Sequence, residues 1–63
     1  MPVGSLNLGE QFAIIAGQIE DAHWIAVEGQ RSGLSKDEAL VLVQQLQCQM
    51  RRIAKRCQRI AST

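Results

Sequence analysis

The stretch Leu34-Ser35-Lys36-Asp37-Glu38-Ala39 decides the fold, because it carries the signals that open a long helix. The hydroxyl of Ser35 can accept a hydrogen bond from a backbone N–H that the first helical turn leaves free, and Glu38 can reach back to the Ser35 N–H. Asp37 and Glu38 also place negative charge at the positive end of the helix dipole. These features predict a capping box and a helix from about residue 36 to about residue 61.

Apolar residues follow this start at alternating steps of four and three, the pattern of a helix packed lengthwise against other helices. They are Ala39, Val43, Leu46, Met50, Ile53, Cys57 and Ile60. An earlier run has the same spacing, at Leu8, Phe12, Ile15, Ile19, Ala22 and Ala26. It predicts a first helix over about residues 7–28, capped by Asn7 with Glu10 as its box partner.

Residues 29–34 contain two glycines and predict a short turn between the helices. We expect a left-handed conformation at Gly29, after the helix end, and a further turn at Gly33. Because a short connection makes consecutive helices antiparallel neighbours, the sequence predicts an all-α helical hairpin in a single domain, residues 1–63. We expect residues 1–6 to form a loose arm and Ser62 and Thr63 to fray.

The chain has more apolar residues than one hairpin can cover: 46% of its 63 residues are hydrophobic. A chain this short also buries too little surface to be stable alone. Self-association into an antiparallel four-helix bundle of two chains resolves both problems. We therefore expect a homodimer, with its interface and core formed by Phe12, Ile15, Ile19, Val43, Leu46, Met50, Ile53 and Cys57. Trp24 is expected in the core, with an interface anchor as the alternative.

Five of the seven basic residues fall in one short segment, residues 51–59, although the net charge is only +1. One interpretation is a solvated helix end, stabilised by the dipole and by the acidic first helix. The other is a docking patch for an acidic protein or for phosphates. Phosphate binding usually requires more positive charge, with aromatic residues for base stacking, so an acidic protein surface is favoured. The candidate partner-binding residues are Arg52, Lys55, Arg56, Arg59 and Trp24.

The sequence offers little for catalysis or for a cofactor. His23 is the only histidine, and no clustered ligands accompany it for a metal ion. Glu20 and Asp21 point about 100° apart on a helix and cannot form a facing acid–base pair. The glycine-containing turn lacks the lysine of a phosphate-binding loop. We expect a protein that is not an enzyme and that has no metal or cofactor.

No apolar run approaches the roughly 18 residues of a membrane span, and no signal peptide is recognised. The two cysteines, Cys48 and Cys57, lie roughly 13 Å apart along one helix, too far for a bond between them. Cys57 is expected in the core. Unpaired cysteines indicate a reducing compartment, and we expect a cytoplasmic protein.

Two stretches of the chain resemble the NblA family, small proteins that trigger phycobilisome degradation in cyanobacteria. The first is Leu6-Asn7-Leu8-Gly9-Glu10-Gln11-Phe12, similar to the family's opening Leu-x-Leu-x-x-Gln-Phe pattern. The second is Ser35-Lys36-Asp37-Glu38-Ala39 followed by Leu42, Val43, Leu46, Gln49 and Met50, which resembles the start of the family's second helix. The segment from Phe12 to Leu34 is about ten residues longer than in the family, close to three helical turns. After Met50 the sequence is rich in arginine and departs from the family pattern.

The resemblance implies an antiparallel helical hairpin that dimerises into a four-helix bundle. It also implies an adaptor without catalysis, which binds phycobiliproteins and presents them to a Clp-type chaperone–protease.

Two other functions stay open. One is a small dimeric nucleic-acid-binding regulator that uses the basic half of the second helix, like the plasmid repressor-of-primer protein. The other is an interaction module of a phage or secretion system. Salt dependence separates the first of these from an adaptor, because phosphate binding weakens steeply with added salt.

Overall fold

The computed structural model describes residues 7–62 and consists there of two helices joined by a short turn. Helix α1 spans Leu8–Glu28 and helix α2 spans Lys36–Ala61. The helices pack against each other in antiparallel orientation, and the described residues contain no strand. The predicted all-α helical hairpin is confirmed. The arm expected over residues 1–6 and the fraying expected at Thr63 lie outside the described residues. The fraying expected at Ser62 is not observed, because Ser62 ends α2 as its cap and both its N–H and its hydroxyl donate to the Gln58 carbonyl.

The hairpin has a closed end, residues 28–38, where polar groups are well partnered. Ser35 caps α2 by accepting from the Glu38 N–H at 3.1 Å, while the Glu38 carboxylate accepts from the Ser35 N–H, so the capping box is present. Arg31 pairs with Glu28 at 2.8 Å and also with Glu38, which joins the end of α1 to the start of α2. The closed end is thus held by a cap and by an ion-pair bridge.

One expectation for the turn is wrong. Gly29 has right-handed helical backbone angles, and its N–H donates to the Ile25 carbonyl at 3.2 Å, so it ends α1 without the left-handed conformation. The positive φ, 77°, occurs at Gly33. The left-handed conformation therefore occurs at Gly33, where a turn was also expected, two residues before the N-cap Ser35. A residue with a Cβ is disfavoured at Gly33 for this reason.

At the open end, where Asn7 and the last turns of α2 lie, α1 begins with its own cap. Asn7 Oδ1 accepts from the Glu10 N–H at 2.7 Å, and the Asn7 side-chain amide donates to the Glu10 carboxylate at 3.2 Å. The predicted cap residue is confirmed.

The seam between the helices differs from the predicted one. The α2 residues that α1 covers at least partly are Ala39, Leu42, Leu46, Gln49, Ile53, Arg56 and Ile60. Four of these belong to the predicted seam, but Val43, Met50 and Cys57 are exposed, and Leu42, Gln49 and Arg56 take their places. Both sets fit alternating steps of three and four, because two neighbouring stripes of a helix share every second position. Cys57 is therefore not a core residue of the hairpin.

Helix α1 shows the same shift. Its covered residues are Gln11, Ile14, Ile15, Gln18, Ala22 and Ile25, whereas the predicted seam residues Leu8, Phe12 and Ile19 are each more than half exposed. Only Ile15 and Ala22 are buried among residues 7–62. A single hairpin thus leaves much of its apolar surface in contact with water, which is a weak basis for stability.

Candidate functional site

Four basic side chains of α2 and one polar side chain of α1 line a shallow open recess of about 220 Å³. Its residues are Gln18, Arg52, Lys55, Arg56 and Arg59, which we call the basic recess. The four basic residues meet there because steps of three, one and three place them on one stripe of a helix. All four predicted partner-binding cations are thereby brought together, and Gln18 is an addition that sequence reasoning did not include.

The cations of the basic recess have no acidic partner within the hairpin. Among residues 7–62, the ion pairs with N···O distances up to 4.0 Å both belong to Arg31, at the closed end. Glu10 and Asp21 of α1 lie on the same side of the hairpin as the recess, yet neither pairs with its cations. The sequence allowed the acidic first helix to stabilise this segment, and such contacts are not observed. The recess therefore presents unneutralised positive charge to solvent.

Arg56 is the least exposed of these cations, because it occupies a seam position. Its Nε is shielded from solvent and has no hydrogen-bond partner, and the same holds for Oε1 of Gln18 across the seam. One atom is a donor and the other an acceptor. Nearby, Gln49 Nε2 donates to the Gln18 carbonyl at 3.3 Å and fixes the two helices in register. The seam is thus polar next to the recess.

A second surface, which we call the apolar face, consists of Leu8, Phe12, Ile19, Val43 and Met50, exposed to between 46% and 58%. In the described helices these residues form two stripes, one on each helix. Counting about 100° per residue, each stripe lies roughly 90° from the centre of its own seam, in the same rotational sense on both helices. Because the helices are antiparallel, equal senses of rotation bring both stripes to one side of the hairpin.

The apolar face and the basic recess lie on opposite sides of the hairpin. Arg52 and Arg59 are displaced from the α2 seam by roughly 90° in the sense opposite to Val43 and Met50. Two separate surface depressions are consistent with this placement. Val43, Leu46 and Met50 line one, of about 510 Å³, and Arg52 lines another together with Ile25 and Val41. The predicted core set is accordingly divided. Ile15, Leu46 and Ile53 face the other helix, and Phe12, Ile19, Val43 and Met50 face outward.

Trp24 is not in the core, contrary to expectation. Its side chain is 60% exposed and stands edge-on to His23, with ring centroids 5.4 Å apart. At about 100° per residue, Trp24 lies more than 90° from the centre of the α1 seam and therefore on the outer side of this helix. Trp24 lines neither the basic recess nor the apolar face, so the structure does not bring it together with the other predicted partner-binding residues.

Residues 7–62 contain no group of three His, Cys, Asp or Glu side chains arranged to hold a metal ion. No helix among them is both long enough and apolar enough to cross a membrane. Glu38 has a lowered pKa, mainly because its carboxylate is hydrogen-bonded by Ser35 and secondarily because Arg31 lies beside it. That group belongs to the cap and not to a reactive site.

Comparison with known proteins gave no match, whether with protein-family models, with curated proteins or with solved structures.

Proposed function

We propose that the chain is a cytoplasmic, non-enzymatic adaptor that acts as a homodimer and docks an acidic protein surface through its basic recess. The observation that carries this proposal is the set of cations in the recess, none of which has a carboxylate partner within the hairpin. Cations that only support a helix end are often paired with nearby acidic side chains or spread around the helix. Here four of them share one stripe and one recess, ready to meet an anionic partner.

An acidic protein fits the recess better than a nucleic acid does. The net charge of +1 leaves a weak long-range field, and the recess holds no aromatic side chain on which a base could stack. The resemblance to the NblA family suggests which proteins are the partners. On that basis we propose phycobiliproteins as the acidic partner, with delivery to a Clp-type chaperone–protease as the consequence.

The apolar face supports the homodimer. Only two residues of the described hairpin are buried, whereas five large apolar side chains of this face are about half exposed. Covering each of them fully is worth on the order of 1 kcal/mol. Two copies joined face to face would form the four-helix bundle and supply the core that a single hairpin lacks.

The recess is tested by charge reversal. The variant Arg52→Glu with Arg56→Glu is compared with Gln30→Glu, Ser32→Glu and Lys36→Glu, a closed-end variant with the same change in net charge. Binding to phycocyanin, followed at low salt by its visible absorbance, should weaken by at least about tenfold for the recess variant, because like charges then face each other. The control should bind as the wild type does. Equal binding by all three proteins would show that the docking surface is not the basic recess.

The same proteins separate the adaptor from the nucleic-acid regulator. If the wild type fails to bind phycocyanin but binds duplex RNA with a steep salt dependence, and the recess variant loses that binding, the nucleic-acid function is correct. Phycocyanin binding by the wild type, weakened in the recess variant, supports the adaptor instead.

The dimer is tested with two valines on α2. Val43 belongs to the apolar face and is 46% exposed, whereas Val41 is 52% exposed on the opposite side. In sedimentation, Val43→Asp should abolish the dimer because it places a charge within the interface, while Val41→Asp should leave it intact. An unfolded monomer for Val43→Asp would count as support too, since the dimer is proposed as the folded unit. Identical sedimentation of both variants as dimers would exclude the apolar face.

A further inference from the structure

We infer that the dimer carries its two basic recesses on opposite outer surfaces and therefore bridges two acidic partner molecules. This inference rests on the proposed function, because it assumes the dimer and the recess described there. It adds the number of partners that one dimer binds and the geometry in which it holds them.

The geometry follows from the two sides of a single hairpin. The apolar face and the basic recess lie on opposite sides of the seam, each displaced from it by roughly 90°. A twofold dimer joins the same patch of both chains. When two apolar faces are pressed together, the two recesses must point away from each other. This holds whether the hairpins run in the same or in opposite directions, since either arrangement keeps the apolar faces inside.

Distance makes the two recesses independent. Two layers of helices, each about 10 Å across, separate them, so the recesses lie on the order of 20 Å apart on opposite surfaces. A compact acidic protein that covers one recess cannot reach around the bundle to the other. Each recess also contains its own complete set of cations, since Gln18 and all four basic residues come from one chain.

Bridging has a measurable consequence when partners are crowded. A dimer held by one recess presents the second at high local concentration to a neighbouring partner, so release is slower than from a single site. On a surface densely coated with partner, the apparent affinity should exceed the single-site affinity by about tenfold or more. On a sparsely coated surface, the two affinities should coincide.

The test uses a dimer with one intact recess. Wild-type chain and Arg52→Glu/Arg56→Glu chain are co-expressed with different affinity tags, and the mixed dimer is purified through both tags. Phycocyanin is the probe. Sedimentation should give two phycocyanin molecules per wild-type dimer and one per mixed dimer. Dissociation from dense phycocyanin surfaces should be at least about tenfold slower for the wild type than for the mixed dimer.

The outcomes distinguish the inference from the function on which it rests. One phycocyanin per wild-type dimer, with dissociation that does not depend on surface density, would overturn bridging and leave the adaptor standing. Failure of the wild-type dimer to bind phycocyanin at low salt would overturn the proposed function, and bridging with it. A mixed dimer that still binds two molecules would show that the recess is not the docking site.

Discussion

The two ends of this hairpin are built from similar residue types and use them in opposite ways. At the closed end, Arg31 is held by carboxylates from both helices, and the seam there consists of Ala22, Ile25, Ala39, Leu42 and Leu46. At the open end, the cations of the basic recess have no carboxylate partner among residues 7–62. The seam there mixes polar and apolar residues, namely Gln11, Gln18, Gln49 and Arg56 with Ile14, Ile15, Ile53 and Ile60. Two solvent-shielded atoms there, Arg56 Nε and Gln18 Oε1, have no hydrogen-bond partner.

This difference separates stability from recognition along one hairpin. An apolar seam with partnered charges lowers the free energy of the folded state, whereas shielded polar atoms without partners raise it. The polar seam positions of the open end therefore contribute less to folding than apolar residues would, and the positive charge of this end stays available to a binding partner. Sites of binding are commonly drawn from the less stable part of a fold.

The largest expected effect comes from placing aspartate at two positions of the same seam. Leu46→Asp would put an unpaired charge in the apolar half and cost several kcal/mol, a large part of the stability of a small domain. Arg56→Asp should leave the protein folded, because a polar residue already stands there and Arg52 lies one turn away to pair with it. Thermal unfolding followed by circular dichroism checks both. Equal losses would mean that the two halves contribute alike.

Removing the two helix caps should lower the free energy of unfolding by smaller and unequal amounts. Ser35→Ala should lower the free energy of unfolding by roughly 0.5–2 kcal/mol, because it removes the acceptor for the Glu38 N–H at the closed end. Asn7→Ala removes the corresponding acceptor at the open end. It should cost less, because the first turn of α1 can fray without opening the apolar seam. Urea unfolding of both variants measures the difference, and a larger loss for Asn7→Ala would reverse the proposed order of the two ends.

Arg56→Leu should stabilise the hairpin by about 1 kcal/mol, since it replaces a shielded donor without a partner by an apolar side chain in the seam. The same variant should bind phycocyanin more weakly, because the recess loses a charge. Arg59→Leu is the matched control: this residue is exposed outside the seam, so binding should fall without a gain in the urea midpoint. A gain for both variants would indicate relief of repulsion among the cations instead.

The smallest expected effect is a loss of thermal stability at low pH. Hydrogen bonds from Ser35, together with the neighbouring Arg31, hold the pKa of Glu38 below its ordinary value of 4.5. A carboxylate whose pKa is lower in the folded state stabilises that state above the unfolded pKa, and the contribution is lost as the pH falls through the folded pKa. The thermal midpoint should therefore decrease slightly as the pH is lowered below about 4.5. In Glu38→Gln this part of the pH dependence should disappear, and an unchanged profile would exclude Glu38 as its origin.

The sequence predicted the helices, both caps and the grouping of four cations, because each depends on residues within one or two helical turns of each other. It did not predict the register of the seam. The stripe through Val43 and Met50 is as regular as the one through Leu42 and Gln49, and only packing against α1 selects between them. A usable signal existed: Gln11 and Gln18 are seven residues apart, as are Gln49 and Arg56. Polar residues at heptad spacing on both helices would have indicated a polar seam at the open end.

The exposed Trp24 allows the protein to be followed by tryptophan fluorescence. It is the only tryptophan and the chain has no tyrosine, so the fluorescence excited near the indole band comes from this one ring. Because Trp24 lies outside the apolar face, its emission should stay at the long wavelength of a hydrated indole when two chains associate. A shift of this emission to shorter wavelength would therefore signal a partner that covers Trp24 on the outer side of α1.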